Sequence, residues 1–435
     1  MSRTQLLRLG LFQLAAGVSS VLFLGVLNRV MRVEMGLNLF LVSLLVGGGH
    51  YLGALVAIPA GNFSDSHRLV GYRRTVYSLG GAAVTALVLA FSPSIARWIS
   101  ASLSVLTISV GFLFFLLEGV STFIAGTAYL ALIVDRTTEK QRGPVTGVVW
   151  TLLMVGLIAA GIVSGIALRE YTFTTFSSLL VFGAVLAGVL SLLALAGQER
   201  RERPGKRASE SPLSMGQAVR LLLSNQHALA FAAFLMVGMF SYFMQDVVLE
   251  PFGGDVFGLT AAQTSRFNAY MGIGVIAGML AGGMWLIPRQ GKRPITAAGC
   301  WLMVLAFAGL ALSAFANQPR ALSGAITFLG LGAGFFTVGG VSLMMDMTSA
   351  IHTGLFAGAW TLVQAVAKGP ASITGGAIQS ILEAFGATQA QAYGAVFSVE
   401  AIGLLLAILL LSRVQVKHFR TAIDSFGKLA AQAMD

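Results

Sequence analysis

Stretches of about twenty apolar residues recur along the whole chain, separated by short polar breaks. At about 1.5 Å of rise per residue such a stretch matches a hydrocarbon layer of roughly 30 Å, so each predicts a transmembrane helix. The pattern places six helices near 6–28, 38–61, 75–92, 104–134, 145–168 and 174–197, and six more near 227–249, 265–287, 295–316, 321–347, 353–379 and 391–412. The fourth and tenth are long enough to tilt or protrude. The first run, Leu6 to Leu27, is long enough to span and ends in Asn28-Arg29 rather than a small-residue cleavage site, so it is expected to remain as a span. The one long polar stretch, Gln198 to Gln226, contains Glu199-Arg-Arg-Glu-Arg-Pro-Gly-Lys-Arg207 and predicts a solvated linker. The expected organisation is a six-helix half over 1–197, a linker over 198–226, a second half over 227–413 and a tail over 414–435. In the tail Phe419, Ile423, Phe426 and Ala430 share one stripe, with Lys417, Arg420 and Lys428 elsewhere, which predicts an amphipathic helix on the membrane surface.

Composition turns this pattern into a class. Hydrophobic residues make up 56% of the 435, and charged residues only 10%, against roughly a quarter in soluble domains. A soluble fold of this length leaves too much surface wet to hide so much apolar material, so lipid is the solvent. The formal charge of +11 records topology rather than nucleic-acid binding. With both termini cytoplasmic, only Arg29, Arg32, Arg97, Arg169, Arg266 and Arg320 of the 28 Lys and Arg fall on the opposite side, and Lys368 lies inside a helix. That asymmetry predicts a multi-pass protein of the cytoplasmic membrane with both ends inside. The single cysteine, Cys300, excludes an intrachain disulfide. Zinc-type clusters, nucleophile elbows and phosphate loops are absent from the sequence, and the Gly272-Ile-Gly274 run follows no strand, so no enzyme is expected. Those glycines, with Gly278, Gly282 and Gly283, read instead as a packing face.

The halves repeat. Gly71-Tyr-Arg73-Arg74 after the second helix recurs as Gly291-Lys-Arg-Pro294 after the eighth, and Asp135, Gly143 and Gly147 recur as Asp346, Gly354 and Gly358, each about half a chain later. The segment Gly61-Asn-Phe-Ser-Asp65-Ser-His-Arg68-Leu-Val-Gly71-Tyr-Arg73-Arg74 resembles the signature loop of the major facilitator superfamily, and Asp135 with Arg142-Gly143 resembles its companion loop. The resemblance implies an all-α membrane protein with twelve transmembrane helices, the major facilitator fold and two six-helix pseudo-repeats. It also implies a cytoplasmic gate built from Asp65, Arg68, Arg73, Arg74, Asp135 and Arg142. A carboxylate there can accept hydrogen bonds from a helix start, and arginines can grip carboxylates or lipid phosphates.

A narrower resemblance runs through the chain in order. Arg8-Leu-Gly-Leu-Phe-Gln13, Leu27-Asn-Arg-Val-Met31 with Glu34 and Gly36, Gly126-Thr-Ala-Tyr-Leu-Ala-Leu132, and Glu250-Pro-Phe-Gly-Gly-Asp-Val-Phe-Gly-Leu259 are similar to the PucC, or bacteriochlorophyll-delivery, family. So are Gly332-Ala-Gly-Phe-Phe336, Met344-Met-Asp-Met347 and Gly354-Leu-Phe-Ala-Gly-Ala-Trp360 with Gln364. That family implies a light-harvesting assembly factor that binds or delivers (bacterio)chlorophyll, or escorts antenna polypeptides. Its implied partners are the lipid bilayer, light-harvesting or photosystem subunits and pigment-synthesis machinery, with non-covalent (bacterio)chlorophyll as cofactor. A proton-coupled transporter of an unrelated small molecule is the alternative, and a pigment-free scaffold a third. The run Gly47-Gly-Gly-His50-Tyr51 departs from the bulkier apolar pattern of antenna assemblers, which leaves the client open.

Four residues are candidates for binding pigment or substrate. Chlorophyll magnesium takes one axial ligand, most simply a neutral imidazole. His50 sits beside three glycines that would let a flat macrocycle approach the backbone, unless it bonds a neighbouring helix instead. Ionisable groups at membrane depth are costly unless paired. Glu118, midway along the fourth helix, is read as a proton-coupling carboxylate, a magnesium ligand or a partner for a basic side chain. Lys368 precedes Gly369-Pro370, which predicts a kink. Glu400 lies on the twelfth helix, peripheral in this fold, where it would serve a pigment or a partner helix, or pair with Lys368. His227 and His352 at helix starts, and His67 and His418 on the cytoplasmic side, are expected to cap or be solvated. Glu250, Asp255 and Arg266 are expected to shape an extracytoplasmic Pro-Phe-Gly-Gly loop.

Overall fold

Apolar runs become helices here because a backbone in hydrocarbon must satisfy its own hydrogen bonds. The computed structural model describes residues 3–56, 69, 71–72, 74–137, 139–199, 226–316, 318–346 and 353–414. The spans, in chain order, are α1 (Gln5–Glu34), α2 (Leu39–Val56), α3 (Thr75–Ala101), α4 (Val105–Arg136), α5 (Glu139–Ala167), α6 (Phe173–Leu195), α7 (Leu229–Val247), α8 (Ala261–Gln290), α9 (Lys292–Ala316), α10 (Leu322–Asp346), α11 (Thr353–Ala384) and α12 (Gln389–Ser412). Among the described residues 11 helices are long and apolar enough to cross a membrane. The twelfth is α11, whose Lys368, Ser372, Gln379 and Ser380 lower its hydropathy.

Polar residues mark where spans begin. Asn38 accepts the amide of Phe40 (2.9 Å) and Thr172 that of Thr175 (3.0 Å), while Thr260 with Gln263 and Thr388 with Gln391 form reciprocal capping boxes. Several helices outrun the apolar signal. α1 continues to Glu34, α3 passes Pro93 to Ala101, and α11 runs through Gly369-Pro370 to Ala384. The expected Pro-Phe-Gly-Gly loop is instead a short helix, Leu249–Phe257. Its glycines are not turn residues: Gly253 lies against Thr264 and Phe267, and Gly254 against Val33. Gly258 ends that helix in the left-handed region at φ 64°, the step a side chain resists. α1 and α2 carry wide π-helical turns at Val21–Leu27 and Ser43–Gly48, a local winding that recurs near functional sites.

The packing repeats with a shift of six helices. In the first half α1 packs on α5 and α6, α3 on α4 and α6, and α2 on α4. In the second α7 packs on α11 and α12, α9 on α10 and α12, and α8 on α10. Each half has its own aromatic core, Phe23, Phe115 and Phe176 in one and Phe234, Phe307, Phe336 and Phe397 in the other. The halves meet along α2–α11 and α5–α8. Small residues permit this approach: Gly47 lies against Ser372 and Gly376 against Ser43, while Gly161 and Gly165 lie on the α8 backbone. The α8 glycines form the expected packing face, with Gly274 and Gly278 against α10. Phe91, Phe182, Leu312, Phe328 and Leu409 point outward, as a lipid-facing surface requires.

Among the described residues, hydrogen bonds between the halves are confined to mid-depth and the end away from the termini. They are Asn28 to Val247, Arg29 to Leu259, Arg32 to Asp255 and Glu383, Asn38 and Phe40 to Ser380, and Tyr51 to Asp246. At the termini end the described bonds stay within a half: Arg8 to Leu193 and Ala196, Lys292 to Ser342, and Arg293 to Ser412.

Candidate functional site

The interior polar groups gather where α2, α4, α7 and α11 converge. His50 on α2 meets Glu118 on α4, with Nδ1 2.6 Å from Oε2. The other carboxylate oxygen accepts from Thr122 (3.0 Å), and Thr85 bonds both Ser121 and Thr122. Gly53 and Gly119 allow this meeting, since each lies so close to the opposite backbone that a methyl group would not fit. Of the roles left open for Glu118, the geometry shows the partner of a basic side chain. Phe23, Tyr51 and Phe123 surround the imidazole with ring centroids 4.9 to 6.1 Å away.

One residue further along α2, the network crosses to the other half. The Tyr51 hydroxyl donates to Asp246 Oδ2 in a short hydrogen bond, and Gln245 donates to Oδ1 (2.7 Å). Lys368 on α11 lies over the Phe243 ring, 4.2 Å from its centroid, a cation–π contact. The next residue, Gly369, lies against Tyr51 of α2. His50–Glu118, Tyr51–Asp246 and Lys368 thus form one cluster spanning both halves. Such an arrangement can hold a polar group or pass protons, and its central bond must break if the halves separate.

Two expectations are corrected. The glycines beside His50 are not open to a macrocycle: Gly47 and Gly48 are filled by Ser372 and Ile373 of α11, and Gly49 by Phe115 and Leu116 of α4. With Nδ1 engaged, Nε2 has suitable ligand chemistry, while the glycine faces beside it are occupied by α4 and α11. Glu400 is also not on an outer surface. It is 0% exposed on the inward face of α12, and neither carboxylate oxygen has a partner among the described residues. It does not pair with Lys368, whose ammonium is held at Phe243.

Of the gate residues, Asp65, Arg68 and Arg73 lie outside the described residues, as does the side chain of Arg142. Arg74 is buried, with Nε 3.4 Å from Asp135, and its backbone amide and that of Thr75 donate to Glu199 at 3.0 and 2.8 Å. Glu199, read as linker, thus caps α3 within the first half. His67, His352, His418 and the tail stripe lie outside the described residues, as do residues 200–225 of the linker and the His227 side chain.

At the opposite end a second charged cluster joins the halves. Arg29 contacts Glu34 at 2.5 Å and donates to Leu259 O at 2.8 Å; Arg32 bonds Asp255 at 2.8 Å and Glu383 at 3.2 Å. Tyr393 on α12 also donates to Asp255 (2.6 Å), and Asn268 to Glu250 (2.6 Å). Sequence reading missed this latch and Asp246. Arg32 counted only toward topology and Arg29 only toward topology and family resemblance, and Asp246 was not singled out, although an acid inside an apolar run is the signal that marks it.

The helices and their packing define a multi-pass membrane protein with the major facilitator fold. A crystal structure of a bacterial homologue of the human lysosomal transporter Spinster, inward-facing and occupied, superposes with a TM-score of 0.71 at 12% identity, covering 95% of this chain and 97% of that one. A D-xylose–proton symporter does so at 0.66 and 13% identity, covering 92% and 96%. The family model described as PUCC protein matches residues 26–419, and the chain belongs to the PucC family. Protein PucC of Rhodobacter capsulatus is 32% identical over 93% of this chain and 91% of its own length. A bacteriochlorophyll synthase 44.5 kDa chain from the same species is 30% identical over 94% and 95%.

Proposed function

We propose that this protein is a light-harvesting complex assembly factor that delivers (bacterio)chlorophyll or escorts antenna polypeptides in a photosynthetic membrane, with both termini cytoplasmic. One observation carries the reading: the PucC match extends through both halves, from residue 26 to residue 419. The relative named as a bacteriochlorophyll synthase chain adds support from pigment chemistry. In this reading the pigment or antenna helix is cargo, and the Tyr51–Asp246 bond is made and broken as the halves rock. Asp65, Arg68, Arg73, Arg74, Asp135 and Arg142 serve the cytoplasmic side of that motion.

The test is complementation in a bacteriochlorophyll-making host that lacks its own PucC-type protein. Wild type restores antenna absorption, whereas Asp246→Asn and Tyr51→Phe restore it poorly at equal protein level. Unchanged antenna absorption without the protein overturns the reading. The alternative, a proton-coupled transporter of another small molecule, draws on the same His50–Glu118 and Tyr51–Asp246–Lys368 cluster. It is favoured if the purified protein moves protons in liposomes while antenna assembly is indifferent to it.

A further inference from the structure

At the end away from the termini a cavity of about 270 Å³ lies between the halves. Arg29 and Glu34 of α1, with Arg169 and Tyr171 from the α5–α6 connection, line one side; Thr260 and Ala261, where α8 starts, line the other. Arg29 is 2% exposed, and its Nε has no partner among the described residues although both Nη atoms are engaged. Arg169 forms no ion pair or hydrogen bond among them either. The Gln263 and Thr264 amides return to Thr260, so Ala261 and Ala262 hold the first helical N–H groups without a backbone acceptor. A long helix adds its positive end here. Burial, and after it the charge of Glu34, pushes the Tyr171 phenol up, so it stays a hydroxyl able to donate. Among the residues lining the cavity, two guanidiniums and a helix start face one carboxylate, Glu34, already paired with Arg29, while Glu250 lies beneath Arg29 and Glu170 follows Arg169 outside the lining.

We propose that this cavity binds an oxyanion, a phosphate or carboxylate group, between Arg29, Arg169 and the amino end of α8. Its arginines belong to one half and its helix end to the other. A bound anion therefore requires this end to be shut and by linkage favours the shut state. The group is supplied either by a soluble anion or by the headgroup of an acidic phospholipid, since both present the same oxyanion chemistry.

Full-length protein carrying Ser380→Cys reports closure, because Ser380 bonds Asn38 across the seam and Cys300 is buried. Inorganic phosphate is titrated at constant ionic strength in detergent, following the unfolding midpoint and the rate of thiol labelling. The expected result is a saturable rise in midpoint and a saturable fall in labelling. Arg169→Gln should raise the half-saturating phosphate at least tenfold. Arg97→Gln removes an equal charge at the same end, from a side chain over Phe173, and should leave the value unchanged. Nanodiscs of phosphatidylglycerol and of phosphatidylcholine separate the sources. Slow labelling and loss of the phosphate response only in phosphatidylglycerol identify the headgroup, whereas an equal phosphate response in both identifies a soluble anion. No saturable response to phosphate or to phosphatidylglycerol, or equal shifts in the two arginine variants, overturns the proposal.

Discussion

His50 and Glu118 illustrate how a buried pair behaves when one member is removed. Neither side chain has water to fall back on, so truncating one leaves the other's polar atoms unmet. His50→Leu strands the Glu118 carboxylate and is expected to cost about 3–5 kcal/mol, more than a surface substitution. The double variant His50→Leu/Glu118→Leu should cost less than the sum of the two singles, because it leaves no orphan. Thermal unfolding of the four proteins in one detergent measures this cycle, and strict additivity would show that the two side chains do not interact. Glu400 gives the opposite expectation. With both oxygens unpartnered among the described residues, Glu400→Leu should raise stability by about 1–3 kcal/mol. A fall in its unfolding midpoint would mean the carboxylate has a partner in the membrane.

At the scale of the helices, glycine position decides the outcome of an identical substitution. Gly53 on α2 faces the α4 backbone, where a new methyl carbon would sit 2.2 Å from Gly119. Gly53→Ala must push α2 off α4 and pull His50 from Glu118, so folded yield in detergent should drop sharply. Gly80 on α3 has nothing within 4 Å, and Gly80→Ala should be neutral or stabilising by up to about 1 kcal/mol through helix propensity. Equal behaviour of the two variants would contradict the α2–α4 packing.

For the molecule as a whole, the two halves are sealed at one end by charges drawn from both. Arg32 is held by Asp255 of the short helix and Glu383 of α11, and Asn38 meets Ser380 beside it. If the protein works by rocking, joining the seam should stop it. Asn38→Cys/Ser380→Cys treated with a short thiol crosslinker should lose antenna-assembly activity and regain it when a cleavable link is reduced. Full activity in the crosslinked form would separate function from rocking. Arg32→Gln acts in the other direction, speeding labelling at the seam because two acids lose their shared cation.

The spans, the pseudo-repeat and the family were legible in the sequence. The bilayer makes hydrophobicity a direct record of depth, and a duplicated half repeats its glycines and charges. Glu118 and Lys368 stood out for the same reason, as ionisable residues where lipid tolerates few. Their partners did not. Tyr51 and Asp246 are 195 positions apart, and Arg32 and Glu383 are 351 apart, so no local pattern pairs them. Gly47, Gly48 and Gly49 read as an opening for a ligand because the sequence cannot say what fills a glycine's space, and α4 and α11 fill it. Glu400 read as peripheral because its helix is, whereas its rotation about the α12 axis turns it inward. Sequence by itself determined how often the chain crosses the membrane and which residues lie deep in it. Only the tertiary structure decided which of those residues meet, because helix rotation and the approach of the two halves depend on packing between distant segments.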